Sequence, residues 1–207
     1  MPTSPPPPDL ICLSPLRWDT APERPRQLMI RFGLTRRVFY CEEPVFGEAA
    51  DPRLEVSTAG GVFVLQPRLP GALEPEAVDI VQSILLTAMM RDMGVKRHVL
   101  WYYTPLALRY TEFFTPAATV YDWMEDVVAV KGGSAELAER HRQLLARSDL
   151  VFTRRMEGLR DLSWERLWSA MDSLLQRVLD ARSAAATRAV LPVRPPRATA
   201  SVAKALQ

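Results

Sequence analysis

Histidine and cysteine are scarce in this sequence. Its 207 residues include two of each, too few for the Cys/His clusters that hold structural zinc or for a disulfide framework. Cys12 and Cys41 each lie within a strand-like apolar run. We therefore expect both to be buried free thiols.

The glycine-rich phosphate loops are also missing. No G-x-G-x-x-G follows the first apolar segment, and no G-x-x-x-x-G-K-[ST] occurs in the chain. The turn after Leu13 reads SPLRWD, which has no glycine to let a pyrophosphate approach the backbone. NAD-dependent enzymes and P-loop NTPases are therefore disfavoured.

Long apolar runs are missing as well. No run approaches the roughly 18 residues that cross a bilayer. The N-terminal MPTSPPPPDL has neither the basic region nor the apolar region of a signal peptide. We expect a cytoplasmic protein, or one that is peripheral to the inner membrane.

The net charge of +2 hides an uneven distribution. Five basic residues and no acid lie from Arg182 onwards, so the rest of the chain is slightly acidic. This balance argues against nucleic acid as a partner. We divide the chain into a disordered proline-rich leader (1–9), one domain (10–182) and a disordered basic tail (183–207).

Short apolar segments alternate with helical patterns along the domain. An apolar stripe on the helix expected at 164–182 requires burial. The third strand segment is either one strand or an edge hairpin that turns at Gly60 and Gly61. The alternation predicts an α/β fold: a Rossmann-like, mostly parallel six-stranded sheet with helices on both faces. The strand segments are 10–13, 37–44, 53–67, 98–104, 118–122 and 149–153.

Polar and aromatic residues follow several of these strands, where ligands gather in such sheets. Asp122 ends one strand and Asp126 follows four residues later. These carboxylates could accept hydrogen bonds from hydroxyls or act as a base, and helix capping in a solvated loop is the alternative. Tyr103, in LWYYTP, has the polar-tipped ring that stacks on sugars, with a place in the core as its alternative.

Six segments, in order, resemble one known family. From Leu10 to Thr153 they are similar to the N-terminal domain of bacterial GT-B glycosyltransferases of the retaining group 1/group 4 superfamily. The similar subgroup begins with a strand, a serine-x-leucine-arginine-tryptophan-aspartate turn and an arginine-proline-x-x-leucine helix. The segments are SPLRWDTAPERPRQL, VFYCEEPVFG, VLQPRLPG, LWYYTPLAL, VYDWMEDVVAVKGG and LLARSDLVFT.

The resemblance implies a domain that faces a second Rossmann-like domain across a cleft. The first domain holds the acceptor, and the second holds the sugar nucleotide. The implied reaction transfers a hexose from a nucleotide sugar to a cell-envelope or polysaccharide acceptor, and it needs no bound metal or other cofactor. Asp122 and Asp126 would be catalytic. The implied acceptor-binding residues are Ser14, Arg17, Trp18, Asp19, Arg24 and Tyr103.

The sequence departs from this pattern between Thr153 and Leu162. The family has an entire donor domain there, whereas this chain has RRMEGLRD. The helix at 164–182 then resembles the family's closing helix, which packs back on the N-terminal domain. Smaller departures are Pro15, where a histidine is common, and His141, where an acid is usual.

Three interpretations follow from these departures. The chain is the acceptor half of an enzyme and binds a nucleotide sugar and a glycan or glycolipid acceptor only together with a donor half. Alternatively, it is a non-catalytic module that binds a glycan or nucleotide or pairs with another protein. The third possibility is a truncated gene product. An open cleft edge and a lost domain interface favour a protein partner or a homo-oligomer.

Overall fold

One sheet organises the part of the chain that the computed structural model describes, which is residues 6–48, 51–123, 134–153 and 163–190. Within these residues the sheet has eight strands in the order β3-β5-β2-β1-β6-β7-β8, with β4 paired to β5. Every pairing is parallel except β4 with β5. The strands are β1 (Asp9–Leu13), β2 (Val38–Cys41), β3 (Val45–Gly47), β4 (Arg53–Ala59), β5 (Val62–Pro70), β6 (His98–Tyr102), β7 (Ala118–Trp123) and β8 (Leu150–Thr153).

The predicted α/β class and mostly parallel sheet are confirmed, but six strands was the wrong number. The predicted third segment is a hairpin of two antiparallel strands, β4 and β5. Gly60 and Gly61, at φ of 60° and 80°, form its turn in the left-handed region that favours glycine. The other additional strand, β3, has three residues and pairs with the end of β5 beyond β2. So short a strand leaves no alternating pattern to find.

Helices cover both faces of the sheet, as predicted. Helices α1 and α5 contribute to the apolar cluster on one face, which we call the α1 face. Helices α2, α3 and α4 contribute to the cluster on the other, which we call the α2 face. No helix in the described part of the chain is long and apolar enough to cross a membrane. The helices are α1 (Glu23–Gly33), α2 (Pro75–Asp92), α3 (Leu108–Thr111), α4 (Ala135–Arg147) and α5 (Trp164–Val190).

The central strand β1 shows why the sheet is buried on both sides. Cys12 points into the cluster on the α1 face, and Leu13 points into the cluster on the α2 face. Continuous burial is expected of a parallel strand with helices above and below. Both cysteines are buried and free, as predicted, and burial raises the pKa of the Cys41 thiol to about 12.

Helix α5 packs on the same domain through its apolar stripe. Met171, Leu175 and Leu179 are buried in the cluster that contains α1. The ion pair of Arg31 with Glu165 adds a polar link, at 2.8 Å between Nη2 and Oε1. The expected burial of the stripe is therefore confirmed, and α5 acts as a fixed layer of the fold.

The helix ends later than the sequence pattern indicated. It continues to Val190, whereas the predicted helix stopped at 182 and the predicted tail began at 183. The additional segment, SAAATRAV, is rich in alanine, the strongest helix former. At the other end, Asp9 belongs to β1 and not to the predicted leader.

Leu175→Ala should lower the free energy of unfolding by about 2–5 kcal/mol, because it removes a fully buried side chain and leaves a cavity. Urea denaturation followed by circular dichroism measures the change. Arg177→Ala, at an exposed position of the same helix, is the matched control and should stay within about 0.5 kcal/mol of the wild type. Equal, small effects of both variants would show that α5 is not part of the core.

Candidate functional site

A row of polar side chains crosses the carboxyl edge of the sheet on the α1 face. Leu13 pairs with Cys41 and with Tyr102, and the residue after each strand continues the same register. The backbone N–H of Ser14 accordingly bonds to the carbonyl of Cys41 at 2.9 Å. We call these side chains the polar row; in sheet order they are Gln66, Glu42, Ser14, Tyr103 and Asp122.

Glu42 is the most heavily bonded member of the polar row. Its Oε2 accepts from Nη1 of Arg17 at 2.9 Å and from Nε2 of Gln66 at 2.6 Å. Its Oε1 accepts from the backbone N–H of Trp18 at 2.7 Å. Arg17 also donates to the carbonyl oxygen of Glu43 at 2.8 Å. This nearly buried carboxylate therefore holds the segment after β1 against the neighbouring strands β2 and β5.

Ser14 and Trp18 are structural parts of the same turn. The Tyr40 hydroxyl donates to Oγ of Ser14 at 2.6 Å, and the same Oγ accepts from the backbone N–H of Leu16 at 3.1 Å. The Trp18 ring meets the Tyr40 ring edge-on, with 5.0 Å between centroids. Trp18 therefore packs beneath its loop and is 6% exposed.

Asp122 and Arg24 form the second ion pair of the polar row. Nη2 of Arg24 lies 2.8 Å from Oδ1 of Asp122, which is 0% exposed. Burial raises the pKa of Asp122 to about 6, while the Arg24 guanidinium and the nearby Tyr103 hydroxyl lower it in part. Oδ2 of Asp122, the Tyr103 hydroxyl and Nε of Arg24 are buried without a hydrogen-bond partner of normal geometry.

The structure places most of the predicted acceptor-side residues along one edge, where they bond to other parts of the fold: Arg17 and the Trp18 backbone to Glu42, Arg24 to Asp122, and Ser14 to Tyr40. Arg17 pairs with Glu42 and not with its neighbour Asp19. Asp19 is exposed and lines a cavity of about 350 Å³ beside the β4–β5 hairpin, together with Glu55 and Gln66. Asp126 lies outside the described residues, so its catalytic role stays a prediction.

The sequence placed Glu42 and Gln66 at strand ends along the expected cleft edge, but it did not identify them as site residues. Glu42 directly follows β2, and Gln66 lies within β5, directly after the buried Val64 and Leu65. Their position at strand ends was the available signal, and the register that aligns them with Ser14 requires the structure. The donors to Glu42, Arg17 and the Trp18 backbone, come from a loop some two dozen residues earlier, which no local pattern reveals.

An open pocket of about 220 Å³ lies at the switch point of the sheet, next to the polar row. The chain passes from β1 to β2 on one side and later adds β6 on the other side of β1. Because the connections leave in opposite directions there, a crevice opens at the carboxyl ends of the strands. We call it the switch-point pocket. Its lining is Ser14, Glu43, Pro44, Phe46, Val78, Asp79, Gln82, Thr104, Leu106, Ala107, Arg109 and Tyr110.

The chemistry of the switch-point pocket is polar and aromatic, without an excess of positive charge. Its guanidinium, on Arg109, lies 2.8 Å from Oδ2 of Asp79 and 3.6 Å from Oε1 of Glu136. Phe46 is half exposed and presents a ring at the pocket. Paired charges, amide and hydroxyl groups and an open aromatic ring suit a hydroxylated ring better than a phosphate. In the described part of the chain, no group of three His, Cys, Asp or Glu residues could hold a metal ion.

Glu42→Gln should lower the free energy of unfolding by about 2–3 kcal/mol, because an NH₂ group replaces one of two oxygens that accept from three donors. Urea denaturation measures the loss. Glu48→Gln, at an exposed position, is the matched control and should cost less than about 0.5 kcal/mol.

Arg17→Met should lower the free energy of unfolding by less in the Glu42→Gln background than in the wild type, because Arg17 and Glu42 form one shared contact. Additive costs would contradict the described pairing.

Asp122 should make the stability depend on pH. Its folded-state pKa of about 6 exceeds the ordinary 3.8, so the fold prefers the protonated carboxyl. The stabilisation is complete below the ordinary pKa and is lost as the pH rises through the folded-state value, by about 3 kcal/mol at most. Asp122→Asn cannot ionise. The difference in unfolding free energy between variant and wild type should therefore change between about pH 4 and 6 and level off above about 7. Urea denaturation across this range measures it, and a constant difference would contradict the assigned burial.

Comparison of the sequence with protein families and with curated proteins finds no match. Solved structures that are similar to parts of the chain include the following two. One is described as "Trehalose-6-phosphate from E. coli bound with UDP-2-fluoro glucose"; it has 10% identity and a TM-score of 0.44 and covers 69% of this chain and 39% of that one. The other is an α,α-trehalose 6-phosphate synthase from Burkholderia multivorans, with 11% identity, a TM-score of 0.39 and coverage of 70% and 39%.

The chain thus spans about two fifths of the length of the structures to which it is similar. Likeness at this level concerns the α/β arrangement alone and assigns neither a reaction nor a substrate to this chain. The chain itself has a Rossmann-like α/β fold with a mostly parallel sheet and a pocket at the switch point.

Proposed function

We propose that this chain is the acceptor-side half of a GT-B glycosyltransferase. It binds a glycan or glycolipid of the cell envelope or of a polysaccharide, and a donor half on another chain supplies the nucleotide sugar. The observation that carries the proposal is the switch-point pocket, with its open aromatic ring and its neutralised charges. The resemblance of the segment from Ser14 to Leu28 to the family's first turn and helix supports it.

The acceptor is proposed to lie in the switch-point pocket and not on the loop after β1. Arg17 of this loop and Arg24 in the first turn of α1 are already paired with Glu42 and Asp122. Exchanging these buried contacts for a ligand would leave carboxylates unpaired, which is costly. Ser14 and Thr104, at the ends of β1 and β6, still line the open pocket. The loop would therefore shape the edge of the site while the pocket holds the sugar.

The chain is proposed to be catalytically incomplete by itself. Strand β8 ends at Thr153 and helix α5 begins at Trp164, so the connection between them is too short to form a second domain. Glycosyl transfer requires donor and acceptor to be held in contact within a site that excludes water. A catalytic carboxylate, Asp122 or Asp126, would act only once the donor half closes over this edge.

Neutral oligosaccharides should bind to the purified chain in saturation-transfer NMR, with maltotriose, chitobiose and mannobiose as probes. Phe46→Ala should weaken binding by about tenfold, because an aromatic ring on a sugar face contributes on the order of 1 kcal/mol. The matched control is Phe113→Ala, which removes an exposed ring outside the pocket and should leave binding unchanged.

The same preparation should show no sugar transfer from UDP-glucose or GDP-mannose to these oligosaccharides. Transfer by the chain alone would contradict the proposed incompleteness. Failure of every oligosaccharide to bind would contradict the acceptor role. Binding that is equally weakened by both phenylalanine variants would contradict the assigned pocket.

A further inference from the structure

Helix α2 carries an apolar surface that the described part of the chain leaves uncovered. Leu86 and Met89 are buried against the sheet, as an outer helix requires. On the opposite side, Ile80 and Ile84 are 62% and 61% exposed. A helix that is apolar on both sides is characteristic of an interior position. The outer side of α2 therefore has the composition of a surface that is covered in the working protein.

Five exposed residues of α2 form one continuous stripe along the helix. They follow one another at intervals of three or four residues, which places them on one side of an α-helix. At 1.5 Å per residue, the 18 residues of α2 extend over about 27 Å. We call this stripe the outer face of α2; it consists of Glu76, Ile80, Ile84, Thr87 and Arg91.

The outer face is complementary to itself when one helix is reversed. Glu76 lies near its beginning and Arg91 near its end, with the isoleucines between them. The midpoint of the stripe falls between Ser83 and Ile84. A two-fold axis at this point brings Glu76 opposite Arg91 of the partner subunit, sets Ile80 opposite the partner's Thr87, and brings the two Ile84 side chains next to each other at the axis. Such isologous contacts are the commonest arrangement of protein dimers.

We propose that the outer face of α2 is a homodimer interface, in which two copies of this chain pair their α2 helices antiparallel across a two-fold axis. A parallel arrangement would place the two Glu76 carboxylates together and the two Arg91 guanidiniums together. The contact of Arg91 with Asp92 in the same helix does not compete strongly with the proposed contact to Glu76 of the partner subunit, because both side chains are well exposed and such pairs contribute little. The antiparallel helix dipoles favour the same orientation.

A membrane surface fits the outer face less well. Amphipathic helices that lie on anionic lipid carry lysine and arginine along the polar side. In α2 the first turn carries Glu76, with Glu74 at its N-cap, and a single arginine lies in the last turn. A single pair of helices of this length forms an interface at the low end of the specific range, so we expect a dimer of micromolar affinity.

The proposed dimer leaves the switch-point pocket open. Val78 and Gln82, which line that pocket, lie on the sheet side of α2 with Leu86 and Met89. The dimer and the acceptor site therefore use opposite sides of one helix. Loss of dimerisation should not abolish oligosaccharide binding, so the two proposals can fail separately.

Sedimentation velocity of the full chain, up to about 100 µM, should show a concentration-dependent dimer. Ile80→Ser combined with Ile84→Ser should give a monomer whose circular dichroism spectrum and Tm match those of the wild type. Leu34→Ser combined with Val56→Ser changes two other exposed apolar residues and should leave the dimer intact. A wild type that stays monomeric throughout, with or without binding to anionic phosphatidylserine vesicles, would overturn the proposal.

Charge reversal tests the antiparallel arrangement. Glu76→Arg alone and Arg91→Glu alone should each raise the dimer Kd by about threefold to tenfold, because like charges then face each other. The double variant should return the Kd to near the wild-type value, since the reversed charges again meet their opposites. Ile84→Cys should form a disulfide-linked dimer under mild oxidation. A double variant weaker than both single variants, or the absence of this disulfide, would overturn the arrangement.

Discussion

Two arginine–carboxylate pairs hold the chain from the end of β1 to the first turn of α1 on the edge of the sheet. Arg17 reaches Glu42 after β2, and Arg24 reaches Asp122 at the end of β7. The two carboxylates lie on opposite sides of β1, so the segment is fixed across the sheet and not only beside its own strand. Both acids are nearly or fully buried, so removal of one member of an ion pair would leave the other charge buried and unpaired. The position of α1, and of the core beneath it, depends on these contacts.

The same contacts divide the edge of the sheet into a closed part and an open part. On the α1 face, Glu42, Asp122 and Ser14 of the polar row are already bonded, to the loop after β1, to Arg24 and to Tyr40 respectively. At the switch point, where the chain connections diverge, Ser14 and Thr104 border open volume. A loop locked by ion pairs gives such a pocket a rigid border, which reduces the entropy lost when a ligand binds.

The general architecture could be predicted from the sequence, because buried parallel strands and amphipathic helices leave periodic patterns that act over a few residues. The buried stripe of α5 and the two buried cysteines were identified in this way. The short β3 and the alanine-rich end of α5 left no such pattern. The partners of Arg17 and Arg24 are set by strand order and register across the sheet. A sequence pattern could therefore identify these arginines as candidate site residues, but it could not show that they already form ion pairs with Glu42 and Asp122.

The aromatic residues of the α1 face give the fold an intrinsic optical reporter. Trp101 stacks on Phe152 at 5.7 Å between centroids, and Trp168 of α5 meets Phe32 of α1 at 6.4 Å. Trp18 belongs to the same cluster. Indole emission shifts to longer wavelength when water reaches the ring. Fluorescence would therefore follow separation of the α1 and α5 layer from the sheet, with Trp123 as the tryptophan that packs against the opposite face.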